Sequence, residues 1–194
     1  MNTKGNKNAA AADSKIILTI EEKDAVKDLS TIKEYKKGAF LLREGQHCKA
    51  CYYIIEGIVR QFRIVDGEEK TSDFYTENQS VFSSSSALNT GPSKFSLDCL
   101  EDCKISIVPF AKEQEIYAKF PRFEKLCRLE TEKNLVEFQD KFAKYMSSSP
   151  EQRYLDLMES NPNLVNRVPQ YHLASYLGVK PESLSRIRKR IMVK

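Results

Sequence analysis

The sequence predicts an α+β protein in three parts: an antiparallel β-roll, a long helix, and a small helical domain ending in a helix–turn–helix. Three observations predict it. Between about residues 36 and 108, short β-branched and aromatic runs are punctuated by glycine, and five of the seven glycines fall between 38 and 91. After Pro109 no glycine occurs until Gly178, and the apolar spacing becomes helical. The last two dozen residues read as two short amphipathic helices joined at Gly178. Many short strands with evenly spaced turns indicate a sandwich or closed roll.

The chain has 194 residues, enough to bury a substantial core. Its 41% hydrophobic and 30% charged content is ordinary for a globular protein. No run approaches the roughly eighteen apolar residues of a membrane span. Residues 1–19 lack a signal core and read as a flexible tail, so a cytoplasmic protein without membrane contact is expected. Five cysteines are an odd number without the spacing of a secreted disulfide framework. With His47 and His172 as the only histidines, a multi-histidine metal centre is excluded within one chain, and no metal is expected.

In chain order, residues 20–35 have the character of a short lead-in helix. Strands are expected in the apolar run 37–45, at Tyr52–Gly57 and at Ile58–Val65, with Asp66-Gly67 as a hairpin turn because glycine accepts positive φ. Phe74-Tyr75, Phe95–Leu100 and Lys104–Val108 add further strands, and the roll domain is set at 20–120. Phe110–Phe120 is predicted helical, then Arg122 to about Met146, giving a dimerisation helix at 121–146. On it Leu135, Phe138, Phe142 and Tyr145 follow the 3-4-3 spacing of a coiled-coil seam and are assigned to a homodimer interface. Leu126, Leu129 and Val136 lie on another side, predicted to pack on the roll. Ser149-Pro150-Glu151-Gln152 reads as an N-cap, a proline at N1 and a capping box. The helix it opens runs to about Ser160, residues 161–168 form a linker, and 147–194 is the helix–turn–helix domain.

In that domain the first helix, about 170–177, sets Leu173, Ala174 and Leu177 on one side. Gly178 turns the chain, and Pro181 suits the first turn of the second helix. On the second helix Leu184, Ile187 and Ile191 form the buried arc. Opposite them lie Glu182, Ser185, Arg186 and Lys189. Arginine can give a bidentate pair to guanine O6/N7 and a carboxylate can accept from cytosine N4, so Glu182, Ser185 and Arg186 are assigned to base edges. Lys180, Ser183, Arg188, Lys189, Arg190 and Lys194 are assigned to phosphates. Residues 180–194 carry a net charge of +5 in a chain whose total is +4, so the remainder sums to about −1. A positive field confined to one element is the footprint of a nucleic-acid contact surface.

The signals Gly38…Glu44-Gly45…Tyr53-Ile-Ile-Glu-Gly57…Asp66-Gly67, then Arg153-Tyr154, then Leu177-Gly178-Val179…Glu182-Ser-Leu-Ser185-Arg186-Ile187 resemble the Crp/Fnr family of bacterial transcription regulators over roughly residues 20–192. The resemblance implies a cupin-like roll of the cyclic-nucleotide-binding type and a winged-helix/helix-turn-helix domain. It implies a dimer reading a palindrome, with Glu182, Ser185 and Arg186 at the bases. Pro181 stands where cyclic-AMP-type members carry an arginine, which is more similar to the Fnr-like surface. The partners it implies are double-stranded DNA, a second copy of the chain, RNA polymerase and a small-molecule effector of unassigned identity.

The cyclic-nucleotide cassette is degenerate. Where that family has a Gly-Glu pair for the ribose, this chain has a serine run, and Lys94 replaces the phosphate-binding arginine, an exchange that loses bidentate geometry. No cyclic-nucleotide cofactor is therefore expected. Ser83, Ser84, Ser85 and Lys94 form the candidate pocket for another anion, the alternative reading being a sensor module whose effector controls DNA binding. Cys48-x-x-Cys51 resembles an iron–sulfur spacing, but the N-terminal cysteines of iron–sulfur members are missing and core thiols are expected. A cupin-like enzyme would need two or three histidines with a carboxylate on facing strands, and the roll has only His47; no catalytic residue is assigned.

Overall fold

The computed structural model describes residues 19–88 and 90–192. Strands β1 (Thr31–Tyr35), β2 (Phe40–Leu42), β3 (Ala50–Glu56), β4 (Val59–Val65), β5 (Glu68–Tyr75), β6 (Ser80–Val81), β7 (Ser96–Cys99) and β8 (Cys103–Pro109) form two antiparallel sheets, ordered β1-β8-β3-β6 and β2-β7-β4-β5. Burial alternates along β3, as a half-buried pleat requires, whereas β7 is buried at every residue and the edge strand β1 is exposed up to Tyr35. Leu42, Ile54, Val59, Val81, Leu97 and Ile105 fill the space between the sheets, with Tyr52 donating its hydroxyl to Leu41 O at 3.2 Å. At the β3–β4 turn Gly57 adopts φ +102°, and a Cβ there would lie 2.5 Å from Cys103 Sγ.

Helix α1 (Ile20–Leu29) opens on a complete capping box between Thr19 and Glu22. It stops earlier than the lead-in helix predicted to residue 35. The β-branched stretch from Thr31 is instead taken by β8, with Thr31 opposite Ile107 and Tyr35 opposite Cys103. The serine run makes one short helical turn, α2 (Ser84–Ala87). Three further stretches depart from the expectation, the shortest being β6, a strand only through its pairing with Tyr52 and Tyr53 of β3. The first half of β5 is polar, and its partner strand rather than burial makes it a strand. The expected linker contains α6 (Pro162–Arg167), which Asn161 caps by accepting from Leu164 N at 3.2 Å.

After the roll come α3 (Phe110–Lys119) and α4 (Pro121–Ser147), then α5 (Pro150–Ser160), α7 (Gln170–Leu177) and α8 (Pro181–Met192). Ser149 caps α5 by accepting from Gln152 N at 3.2 Å, but the Gln152 amide turns forward to Asp156 at 3.0 Å, so the capping box is only half made. Among the described residues no strand follows Pro109, so the C-terminal domain shows helices and no wing. Most of the expected tail, 1–18, lies outside the described residues, as does Lys194.

Helix α4 departs from its expected packing. No residue of it is buried, and from Thr131 to Ser147 every residue is exposed. Phe123, Leu126 and Cys127 are half-buried near its start, whereas Leu129 and Val136 are 45% and 56% exposed rather than packed on the roll. Leu135, Phe138 and Phe142 are exposed at 56–62%, and the two phenylalanine rings stack at 6.3 Å. Along this 27-residue helix both apolar stripes are thus left exposed among the described residues.

Candidate nucleic-acid interface

The helix–turn–helix is built from the bottom by its own core. Tyr154 and Leu157 of α5, Leu164 and Val165 of α6, Leu173, Ala174 and Leu177 of α7, and Leu184 and Ile187 of α8 are buried together. Gly178 ends α7 in the left-handed conformation, φ 72° and ψ 31°. Arg153 reaches the same turn, donating from Nη1 to Leu177 O at 3.0 Å while stacking 3.7 Å over the Tyr145 ring. Tyr145, expected in the dimer seam, therefore packs at the turn of its own chain, its hydroxyl 2.5 Å from where a Gly178 Cβ would stand.

With Leu184 and Ile187 inward, Glu182, Arg186 and Lys189 are exposed on the outward side of α8 and Ser185 is half-buried. Arg186 Nη2 donates to Ser183 Oγ at 3.3 Å, so Ser183 holds the arginine that was assigned to bases. Arg190 is ion-paired with Glu151 of α5 at 2.7 Å, which ties α8 to α5. Lys180 is exposed at the start of the helix and Arg188 is half-buried on its flank. The outward face thus presents one carboxylate, one guanidinium and one ammonium within two turns, donors and an acceptor with no apolar side chain between them.

The candidate anion pocket is not assembled in the same way. Ser83 is fully buried and its Oγ is bonded to Ser85 Oγ at 3.1 Å; Ser85 also donates to Pro92 O at 3.1 Å. Ser84 and Lys94 are exposed, and no hydrogen bond among the described residues joins Lys94 to the serines. The thiols are core groups: Cys48, Cys99 and Cys103 are buried, and burial pushes Cys51 up to about 12.

A polar cluster that the sequence reading missed joins the domain to the roll. On the outer face of the β2-β7-β4-β5 sheet, Ile58, Phe74 and Leu100 enter the core of the helix–turn–helix. Among them, Arg60 is held by its cross-strand neighbour Asp98 through Nε at 2.9 Å and Nη2 at 2.7 Å, and by Glu69 through Nη1 at 2.7 Å. Its Nη1 also lies 2.6 Å from His172 Nδ1 of α7. Arginine can only donate, so Nδ1 accepts and the imidazole proton sits on Nε2. Burial opposes the Arg60 charge, but the bonds from Asp98 and Glu69 hold its pKa above the ordinary value. A second cluster sets Arg167 between Glu77 and Glu101; its bond to Glu77 Oε1 is 2.6 Å and holds that carboxyl at about 2. The available signal was slight: Asp98 stands between Leu97 and Cys99, and Arg60 follows Val59 in a strand that also carries Gln61 and Arg63.

His172 gives this contact a pH dependence. Burial, then the charge of Arg60, depress its pKa from 6.5 to about 4, against the opposing pull of Asp98 and Glu69. The folded state therefore resists a proton that the unfolded chain accepts. Stability is complete above about pH 6.5 and declines as pH falls towards 4, by about 3 kcal/mol across that window. Urea melts at pH 7, 5.5 and 4 are expected to show the decline, and His172→Gln is expected to flatten it. Loss of the Glu77–Arg167 pair belongs to a lower window, below pH 4.5.

Residues 32–120 match the sequence model of the cyclic nucleotide-binding domain. The transcriptional activator protein anr of Pseudomonas aeruginosa is 29% identical over 115 residues, which are 58% of this chain and 46% of that one. Its counterpart in Pseudomonas protegens is 27% identical, over 54% of this chain and 43% of that one. The chain thus spans about half the length of these relatives. Among solved structures, the c-di-GMP responsive global regulator CLP of Xanthomonas campestris superposes with a TM-score of 0.72 at 15% identity, covering 89% of this chain and 91% of that one. FixK2 of Bradyrhizobium japonicum gives 0.72 at 17%, over 84% and 85%. At these identities the superpositions establish the arrangement of roll, long helix and C-terminal helices, and nothing finer.

Proposed function

We propose that the chain is a transcription regulator of the Crp/Fnr type, acting as a homodimer that binds a palindromic duplex through α8, a reading supported by its similarity to the cyclic nucleotide-binding domain model and to the anr activators. The observation that carries the reading is the division of that helix, with Leu184 and Ile187 buried and Glu182, Arg186 and Lys189 exposed on the other side. Glu182, Ser185 and Arg186 read base edges, and Lys180, Arg188 and Lys189 contact phosphates. Ser183 positions Arg186, and Arg190 reaches phosphate only by leaving Glu151. The bare apolar stripe Leu135, Phe138 and Phe142 is covered by the same stripe of a second copy, which sets two α8 helices about one duplex turn apart. Four features support a regulator that does not answer to cyclic AMP: the closed serine loop, the exposed Lys94, the filled roll interior and the absent ribose carboxylate.

The test is selection of duplexes from a random pool, followed by fluorescence anisotropy. The enriched sites are expected to be palindromic, and affinity is expected to fall steeply with salt. Cyclic AMP is expected to leave it unchanged. Arg186→Ala is expected to cost about 1–3 kcal/mol at one guanine per half-site and to leave affinity for scrambled DNA nearly the same. If the variant kept the wild-type ratio of specific to scrambled binding, Arg186 would not be a reader. A strictly monomeric protein in sedimentation would remove the palindrome.

A further inference from the structure

We propose that Cys99 and Cys103 form a redox-active dithiol, a site at which a small peroxide closes a reversible disulfide across the join between the two sheets. The pair does not depend on the DNA-binding role proposed for α8. Cys99 is the last residue of β7 and Cys103 the first of β8, so one sulfur comes from each sheet. Cys99 lies opposite Val59 and Cys103 opposite Tyr35, and both side chains enter the same core between the sheets. There the Cys99 thiol donates to the Cys103 sulfur. The Cys103 thiol hydrogen is in turn shared between Ile58 O at 3.5 Å and Glu101 O at 3.3 Å. The other three thiols have different partners: Cys48 donates to Ala50 O at 3.1 Å, Cys51 is bonded to Ser80 and Cys127 to Tyr117.

The bond from Cys99 draws the Cys103 thiol below its ordinary value, while that bond and burial push Cys99 above it. A lowered thiol beside one that keeps its proton is the arrangement of an attacking sulfur and a resolving one. Cys103, as thiolate, attacks one oxygen of the peroxide; the O–O bond breaks, hydroxide leaves, and a sulfenic acid forms. The Cys99 sulfur then attacks the Cys103 sulfur, the S–O bond breaks and the S–S bond forms. The two thiol protons leave with the two hydroxides, so two thiols and one hydrogen peroxide give one disulfide and two waters. Both thiols are buried, at 1% and 3% exposure, which suits a small oxidant rather than a bulky disulfide. Their cover is the turn Leu100-Glu101-Asp102. It is fastened by Asp102, which accepts from Lys36 Nζ at 2.7 Å and Lys37 N at 2.9 Å in a solvent-exposed ion pair. Exposed pairs of that kind hold little, so the turn opens without unfolding the roll. The same turn carries Leu100, in the core with the helix–turn–helix, and Glu101, paired with Arg167. Closing the S–S bond therefore reshapes a turn that both halves of the chain share.

The test treats the full wild-type chain with hydrogen peroxide, removes the oxidant, caps the remaining thiols with N-ethylmaleimide in denaturant, and weighs the tryptic peptides. The peptide Phe95–Lys104 holds both cysteines and no other. It is expected to lose two hydrogens and escape capping about tenfold faster than Cys48, Cys51 or Cys127 is lost. Dithiothreitol is expected to restore both caps. Cys99→Ala removes the resolving sulfur, so Cys103 is expected to pass on to the sulfinic acid, which dithiothreitol does not reverse. A wild-type peptide that gains two oxygens, or that is capped in full while the other thiols are lost, would overturn the dithiol. So would oxidation confined to urea concentrations that unfold the chain, which would leave the two sulfurs as ordinary core groups. The wild-type measurement decides the matter by itself if Cys99→Ala fails to fold.

Discussion

Arg60→Ala is expected to lower the unfolding free energy by about 3–5 kcal/mol, a large share of what a domain of this size possesses. The guanidinium side chain is 3% exposed and holds two carboxylates and an imidazole at once. Removing it leaves Asp98, whose side chain is only 12% exposed, as a buried anion with no cation beside it. It also takes the donor from His172 Nδ1 at the join between roll and helix–turn–helix. The cost lies in the stranded charge rather than in the lost attraction. Arg60→Met combined with Asp98→Asn is therefore expected to recover most of the loss, since it removes both ions and keeps much of their volume. Urea titrations of the three proteins at pH 7 measure this directly. A single-variant loss below about 1 kcal/mol would mean that Arg60 is solvated in solution.

This cluster marks the limit of what the sequence could tell. Periodicity located the strands with apolar alternation, the helix from Pro121, the N-cap at Ser149 and both helices around Gly178, because each of these rests on local chemistry: a stripe, a capping side chain or a residue tolerant of positive φ. The same reasoning found α8's buried arc. It missed the polar half of β5, where Glu68 to Ser72 are a strand only because Val59–Val65 lie beside them. It missed α6 inside the expected linker 161–168, where Asn161-Pro162 starts a helix as Ser149-Pro150 does. The Leu129 and Val136 stripe was assigned to the roll from helix geometry alone, and geometry says which residues share a side without saying what faces them. Arg60, Asp98 and His172 are separated by 38 and 74 residues, so their meeting is a fact of tertiary structure. Asp98, set between Leu97 and Cys99, is the plainest trace of it in the sequence.

Leu184→Ala is the second large effect, and it separates holding the reading helix from reading with it. Leu184 is fully buried against Leu173 and Leu177, where α7 and α8 cross. Truncation removes three methylene-sized groups from a packed site and leaves a cavity that the short helices can close only in part. The expected loss is about 2–5 kcal/mol. The same core continues through Ile58, Phe74 and Leu100 into the roll, so the damage is expected to appear as one broadened or earlier transition rather than as local fraying of the last helix. DNA binding should fall on specific and scrambled duplexes alike, because the whole face is loosened. Arg186→Ala, on the exposed side of the same helix, should leave the melt within about 0.5 kcal/mol of wild type and alter only the preference between duplexes. Two residues apart on one helix, the pair should thus give opposite patterns in two assays. If Leu184→Ala melted like wild type yet lost sequence preference, the inward and outward sides of α8 would be exchanged, and the assignment of Glu182, Ser185 and Arg186 to bases would fall with them.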